Sequence, residues 1–231
     1  MSLILLIETA TTSCSVALAM DNQIIALREI NQRNIHAEVI TVYIHELFIE
    51  SGKKIEELDA IAISSGPGSY TGLRIGVSTA KGLCFALDKP LIAVDTLSAM
   101  AQGYKTRGDI QISNDTLLCP MIDARRMEVY TAILDQSGTV IKPTAAEIID
   151  ENSFAGQLKE NKVIFLGDGA EKCRTILEYN PNAQFDGTFV NSAQDMAVIA
   201  TKKFNEGIFA DIAYFEPYYL KDFIAGVKKA V

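Results

Sequence analysis

Two stretches of this chain follow the same course, and that repeat limits the fold more than any single motif. Residues 4–25 read ILLIETATTSCSVALAMDNQII, and residues 117–141 read LLCPMIDARRMEVYTAILDQSGTVI. Each begins with an apolar run that ends in an acid, Glu8 or Asp123. A short polar turn, a second apolar strand, a polar hairpin and a third strand follow. Asp21-Asn22 in the first copy tolerates the positive φ of a tight hairpin, and Gln136–Gly138 takes that place in the second.

Helices and strands then alternate in both halves. After Leu3–Ile7, Ser15–Met20 and Gln23–Ile30, the spacing predicts a helix over His36–Glu50, a strand over Asp59–Ser65 and a helix over Tyr70–Leu87. A strand over Leu91–Val94 and a helix from about Asp95 complete the half. In the second half a helix is expected around Glu151–Glu160, a strand at Val163–Leu166, a helix opened by GDGAEKC and a last long helix over Ser192–Phe204. Duplicated βββαβα halves are the plan of an α/β protein with two ribonuclease-H-like (actin-like ATPase) domains in tandem. Parallel crossovers imply helix-covered sheets. The polar segment QGYKTRGDIQISND (102–115) places the division between residues 1–105 and 106–231. The stretch after Pro217 is expected to pack back onto the first domain.

In that architecture the turns after each first strand, ETATTS (8–13) and DARRME (123–128), point into a cleft. There they can hold phosphate or a metal, or serve as ordinary turns. The stretch SSGPGSYTGLRIGVSTAKGL (64–83) raises the same question, since a glycine-rich loop entering a helix offers free N–H groups to an anion. Its spacing is neither Walker A, because Gly72 is followed by Leu73 and Arg74, nor G-x-G-x-x-G. In the helix itself, Gly72, Gly76 and Ala80 recur every four residues and form a ridge without side chains. Such a ridge suits close packing, either on the chain's own sheet or on a helix of another subunit. The helix His36–Glu50 raises a parallel choice. Val39, Ile40, Tyr43, Ile44, Leu47 and Phe48 cover about half its circumference, and Val42 and Ile49 widen that arc. It is either buried between two layers or shared between the core and a partner chain.

Composition closes other routes. Twenty-nine acidic against 21 basic side chains give a net charge of −8, so the isolated chain is expected to be a poor nucleic-acid binder. Cys14, Cys84, Cys119 and Cys173 stand singly and there are two histidines, so neither a zinc site nor a disulfide framework is expected. His36 and His45, nine residues apart, point to opposite sides of their helix. MSLILLIETATTS has no basic flank and reads as a strand rather than a signal peptide. No apolar stretch reaches membrane-spanning length, and a cytoplasmic protein is expected.

GPGSYTGLRIGVSTAKGL closely resembles the hallmark of the bacterial TsaB (YeaZ) family. LLIETATTSCSVAL, the helix starting HAE, MIDARRMEVYTA, FLGDGA and PYYLK resemble that family in the same order, over nearly the whole chain. Glu8 replaces the family's usual aspartate, and Lys221 stands where arginine is usual. The resemblance implies a part in making threonylcarbamoyladenosine on tRNAs that read codons starting with A. It implies a non-catalytic paralogue of TsaD that binds TsaD, with the ATPase TsaE; the helices 36–50 and 70–87 are further expected to form the surface that meets TsaD and to pair two copies of this chain when TsaD is absent. TsaD holds its metal through a His-x-x-x-His motif, and Thr96 and Met100 stand at those places here. No catalytic residue, metal or cofactor is therefore expected, and tRNA is expected to be met only indirectly, through the complex. The partner-binding surface is placed on Val42, Tyr43, Glu46, Ile49, Gly72, Arg74, Gly76 and Ala80. The rival is an ATPase or small-molecule kinase of the actin-like class, kept open by Glu8 and Asp123. A glycoprotease-like metallohydrolase is weaker still, given Thr96 and Met100.

Overall fold

The first strand, β1 (Leu3–Glu8), is buried along its whole length in the computed structural model, which describes residues 1–221. Leu3, Leu5 and Ile7 enter one hydrophobic cluster, while Ile4 and Leu6 enter another. The run is continuous rather than alternating because both faces of its sheet are covered. β2 (Ser13–Met20) and β3 (Gln23–Asn31) complete an antiparallel meander, with Asp21 and Asn22 at φ 46 and 66 in the hairpin. α1 (His36–Ser51) leads to β4 (Ala60–Ser64), and α2 (Tyr70–Leu87) leads to β5 (Leu91–Val94). Both of these strands run parallel to β1, and the sheet order is β3-β2-β1-β4-β5. α3 (Thr96–Arg107) follows, capped by Asp95, whose side chain accepts from Ser98 N at 2.7 Å.

The second half repeats this arrangement. β6 (Thr116–Asp123), β7 (Glu128–Leu134), β8 (Val140–Ile148), α4 (Ala155–Glu160), β9 (Lys162–Leu166), α5 (Ala170–Leu177) and β10 (Ala183–Asp186) give the order β10-β9-β6-β7-β8. These are the two α/β domains of ribonuclease-H-like plan that the repeat implied. Three details differ from the sequence reading. α4 starts at Ala155, because residues 151–154 turn and Phe154 takes a φ of +61. β10 and a short 3-10 helix at Ile55–Glu57 carry no apolar period that a sequence pattern reports. The last helix opens as a 3-10 turn, Ala193–Met196, before α6 (Ala197–Asn205).

The two halves exchange their final helices. Leu97, Met100, Ala101 and Tyr104 of α3 pack with Leu118, Ile122 and Ile164 on the second sheet. Ala193, Met196, Ala197 and Ala200 pack with Ile4, Leu6, Ala62 and Val94 on the first. A division after residue 105 therefore cuts α3, and residues 193–205 belong with the first sheet despite their place in the sequence. The return expected after Pro217 begins some 25 residues earlier. Beyond α6 the chain follows α2: Ala210 bridges Leu91, Lys81 Nζ donates to Phe215 O at 3.1 Å, and Tyr218 N donates to Ser65 O at 2.7 Å. The Tyr219 ring lies 4.8 Å from that of Tyr70. Residues 222–231 of that returning stretch lie outside the described residues. No described helix is long and apolar enough to cross a membrane.

Candidate functional site

The glycine-rich loop sits directly on the turn that follows β1. Ser69 N donates to Ala10 O at 2.6 Å, and a Cβ at Gly68 would collide with that same carbonyl. A Cβ at Gly72 would fall on Thr9 O, and one at Gly76 on the Thr9 hydroxyl and the Ile63 side chain. These glycines are therefore required by the close approach of α2 to the chain's own first sheet. Several donors that an anion could use are already engaged. Gly66 N bonds Thr96 Oγ1 at 3.1 Å, Gly72 N bonds Ser69 Oγ at 3.3 Å and Leu73 N bonds Ser69 O at 2.9 Å.

This packing corrects part of the expected partner surface. Gly72, Gly76 and Ala80 are buried against β1 and β4 and present no face to another chain. The helical glycine of α2 that faces outward is Gly82, with nothing within 4 Å of a Cβ built on it. Sequence reasoning passed over it because it breaks the four-residue rhythm. Phe85, one turn further on, is 85% exposed and is the signal that would have marked this face.

The other expected residues divide. On α1, Val42 and Ile49 are 50% and 68% exposed. Ile49 lines a groove of about 490 Å³ with Ile44, His45, Phe48 and Ile55, and with Thr79 and Leu83 from α2. Tyr43 is half-buried against the core. Glu46 is half-buried and pairs with Arg28 Nε at 3.0 Å. Arg74 is exposed, its guanidinium 4.6 Å from the centre of the Tyr70 ring. Burial of Ile40, Ile44 and Leu47 on one side, with Val42 and Ile49 left on the other, explains the wide apolar arc of α1.

Thr96 and Met100, set by the family resemblance at the places expected of metal-binding histidines, serve the fold. Thr96 is fully buried and holds Gly66 both ways, its N–H donating to Gly66 O at 3.0 Å. Met100 is buried in the second core and packs on Gly167. Among the described residues, no group of three or more His, Cys, Asp or Glu could hold a metal ion. His36 is buried, and its Nε2 lies 3.1 and 3.2 Å from the Thr11 and Ser13 carbonyls, so that nitrogen carries the proton and donates.

The acids ending the two first strands have unlike surroundings. Glu8 is fully buried; its Oε1 accepts from Ala10 N at 2.6 Å and its Oε2 has no partner. Burial pushes this carboxyl up to about 7, outweighing the pull of Ser64 and Asn191 nearby. Asp123 is exposed. Partial burial raises its pKa, but Lys172 and the Arg125 N–H hold it below the ordinary value. It lines a polar cleft of about 360 Å³ with Asp168 on one side and Thr12, Asn31, Gln32 and Arg33 on the other. The two acids thus differ: one titrates inside the core and the other faces the space between the halves.

A family model described as "TsaD: tRNA N6-adenosine threonylcarbamoyltransferase" matches residues 23–230. The chain is 33% identical over 236 aligned residues to the tRNA threonylcarbamoyladenosine biosynthesis protein TsaB of Escherichia coli K12, with 97% of each chain covered. It is 29% identical to the TsaB protein of Bacillus subtilis 168, over 76% of this chain and 75% of that one. The solved structure of YeaZ from Pseudomonas aeruginosa superposes with a TM-score of 0.80 at 26% identity, covering 95% of this chain and 100% of the other. An activator of 2-hydroxyisocaproyl-CoA dehydratase from Clostridium difficile shares the fold, with a TM-score of 0.52 and 10% identity over 89% of this chain and 96% of that one.

Proposed function

The chain belongs to the TsaB family of tRNA threonylcarbamoyladenosine biosynthesis proteins, and from that premise we propose that it is a non-catalytic subunit which binds and supports TsaD. The observation that carries this reading is the outer face of α1 and α2. Val42, Ile49 and Phe85 leave apolar area exposed on these helices, Ile49 lines a groove between them, and Gly82 lets another backbone approach closely. A patch of two helices can bury on the order of 800 Å² per partner, enough for a specific complex. The same face pairs two copies of the chain when TsaD is absent, so homodimer and heterodimer compete for it. TsaE joins the assembled pair, and the reaction they serve is threonylcarbamoyl transfer to the adenosine next to the anticodon. Cytoplasmic action follows from that role.

A non-catalytic role is supported by how the would-be site is used. Several loop donors are engaged within the chain, and Thr96 and Met100 are built into the fold. The test is size-exclusion chromatography of the chain alone, TsaD alone and the mixture, followed by ATP turnover of the purified chain. A new peak holding both proteins, with turnover of the isolated chain at background, is expected. Persistent separate peaks would end the partner reading, and turnover well above background would favour the enzyme.

A further inference from the structure

The chain has eight more acidic than basic side chains, so a surface arginine readily meets a carboxylate. Four of its arginines are engaged: Arg28 with Glu46 and Glu50, Arg107 with Asp195, Arg174 with Glu171 and Arg74 over the Tyr70 ring. Arg33, Arg125 and Arg126 are exposed and make no salt bridge among the described residues. They stand on the two segments whose residues meet at the cleft between the halves. Arg33 lines the cleft from the β3 side, and Arg125 and Arg126 sit on the turn just after Asp123, which lines it from the other.

That turn is well fixed. Ala124 N donates to Glu128 O and Glu128 N to Arg125 O, each at 3.1 Å. Arg125 and Arg126 have φ of +72 and +47, a region in which glycine costs less. The nearby acids are already occupied. Lys172 sits on Asp123, Lys221 sits on Glu128, and Asp168 accepts from Asp123 N at 3.0 Å. The segments flanking the cleft thus carry three exposed arginines, Arg33 in its lining and Arg125 and Arg126 on the turn after Asp123, while the lining itself keeps two carboxylates, Asp123 and Asp168, that oppose a compact anion seated inside. A guanidinium fork matches phosphate oxygens in pairs. The ligand that fits cationic flanks beside an acidic lining is one whose phosphates are strung along the rim.

We propose that Arg33, Arg125 and Arg126 hold the phosphodiester backbone of an RNA across this cleft. The proposal rests on the reading above, that the chain works in a tRNA-modifying complex. It goes beyond that reading by giving this acidic chain its own contact with the RNA. The excess negative charge elsewhere keeps the contact weak in the isolated chain and makes it count in the assembly.

The test uses the full chain assembled with TsaD and an unmodified tRNA transcript, with affinity measured between about 50 and 200 mM salt. The variant is Arg33→Ala, Arg125→Gly and Arg126→Gly combined, glycine being chosen where φ is positive. A thermal melt checks its fold, and a second variant, lysine at all three positions, keeps the charge. Loss of two to three phosphate contacts should flatten the slope of log affinity against log salt by about two and weaken binding about tenfold at low salt, with the lysine variant near the unaltered chain. Equal affinity and slope in all three proteins would overturn the proposal. So would a triple variant that stays folded but no longer assembles with TsaD, since the arginines would then hold an acidic protein surface. Displacement of the tRNA by excess ATP would overturn it in favour of a nucleotide site. If the unaltered chain does not assemble with TsaD, the proposed function has failed. The same comparison on the isolated chain at low salt then decides this proposal separately.

Discussion

Arg107 grips Asp195 with two parallel bonds, Nε to Oδ1 and Nη2 to Oδ2, each 2.7 Å. Arg107 ends α3, which lies on the second sheet, and Asp195 stands in the turn that opens onto the first. The pair therefore ties together the two helices that the halves exchange. Gly103 makes room for it, since a Cβ there would fall on the Asp195 carboxylate. Ser192 N caps the same carboxylate at 2.9 Å, and Thr11 Oγ1 donates to Asn191 Oδ1 at 2.6 Å a few residues before.

Arg107→Ala should be strongly destabilising, because it leaves Asp195, nearly fully buried, without its counter-charge. Removing one partner of a buried pair costs about 3 kcal/mol or more. Arg107→Lys should recover only part of this, since lysine cannot make the parallel pair of bonds. Urea unfolding of the two variants checks the order, and equal midpoints for Arg107→Ala and the unaltered chain would refute the tie.

The glycines of α2 should respond differently to the same change. Gly72→Ala puts a methyl group on the backbone carbonyl of Thr9, and Gly76→Ala puts one against the Thr9 and Ile63 side chains. Overpacking costs about 1–3 kcal/mol, and backbone yields less than side chains, so Gly72→Ala should be the worse. Gly82→Ala meets open space and should raise stability by up to about 1 kcal/mol through helix propensity. Thermal melts of the three variants rank them.

Gly82→Arg separates folding from association. The side chain projects from the outer face of α2, beside Phe85. The fold should be kept, with stability unchanged or raised by up to about 1 kcal/mol, since arginine is a far better helix former than glycine. Self-association and TsaD binding should both be lost in size exclusion. If either partner still binds normally, the face between α1 and α2 is not its docking surface.

Stability should fall as pH rises through the range in which Glu8 titrates. Its carboxyl is pushed from 4.5 up to about 7 by burial, so between those values the folded chain keeps a proton that the unfolded chain has lost. Unfolding free energy from this group is therefore highest below about 4.5 and declines until about 7, by on the order of 3 kcal/mol at most. Glu8→Gln carries no titrating group there, and its pH curve should be flatter across that window. Parallel curves for the two proteins would show that Glu8 is ionised at little cost.

The order of the elements was legible in the sequence because it is written locally. Alternation, helical spacing and hairpin residues such as Asp21-Asn22 act over a few positions, and α2 and β5 fall where their periodicity puts them. The family resemblance was legible for a similar reason, being carried by contiguous strings such as GPGSYTGLRIG. What an apolar or small-residue face touches is not a local property. Gly72, Gly76 and Ala80 form a ridge that would serve a sheet or a partner equally well. Only the approach of α2 to Thr9 and Ile63 assigned it to the sheet and left Gly82 facing outward. Likewise, nothing within α3 or residues 193–205 says which sheet each will cover. That exchange is set by contacts between segments distant in sequence, Arg107 with Asp195 among them, and it exists only once both sheets have formed.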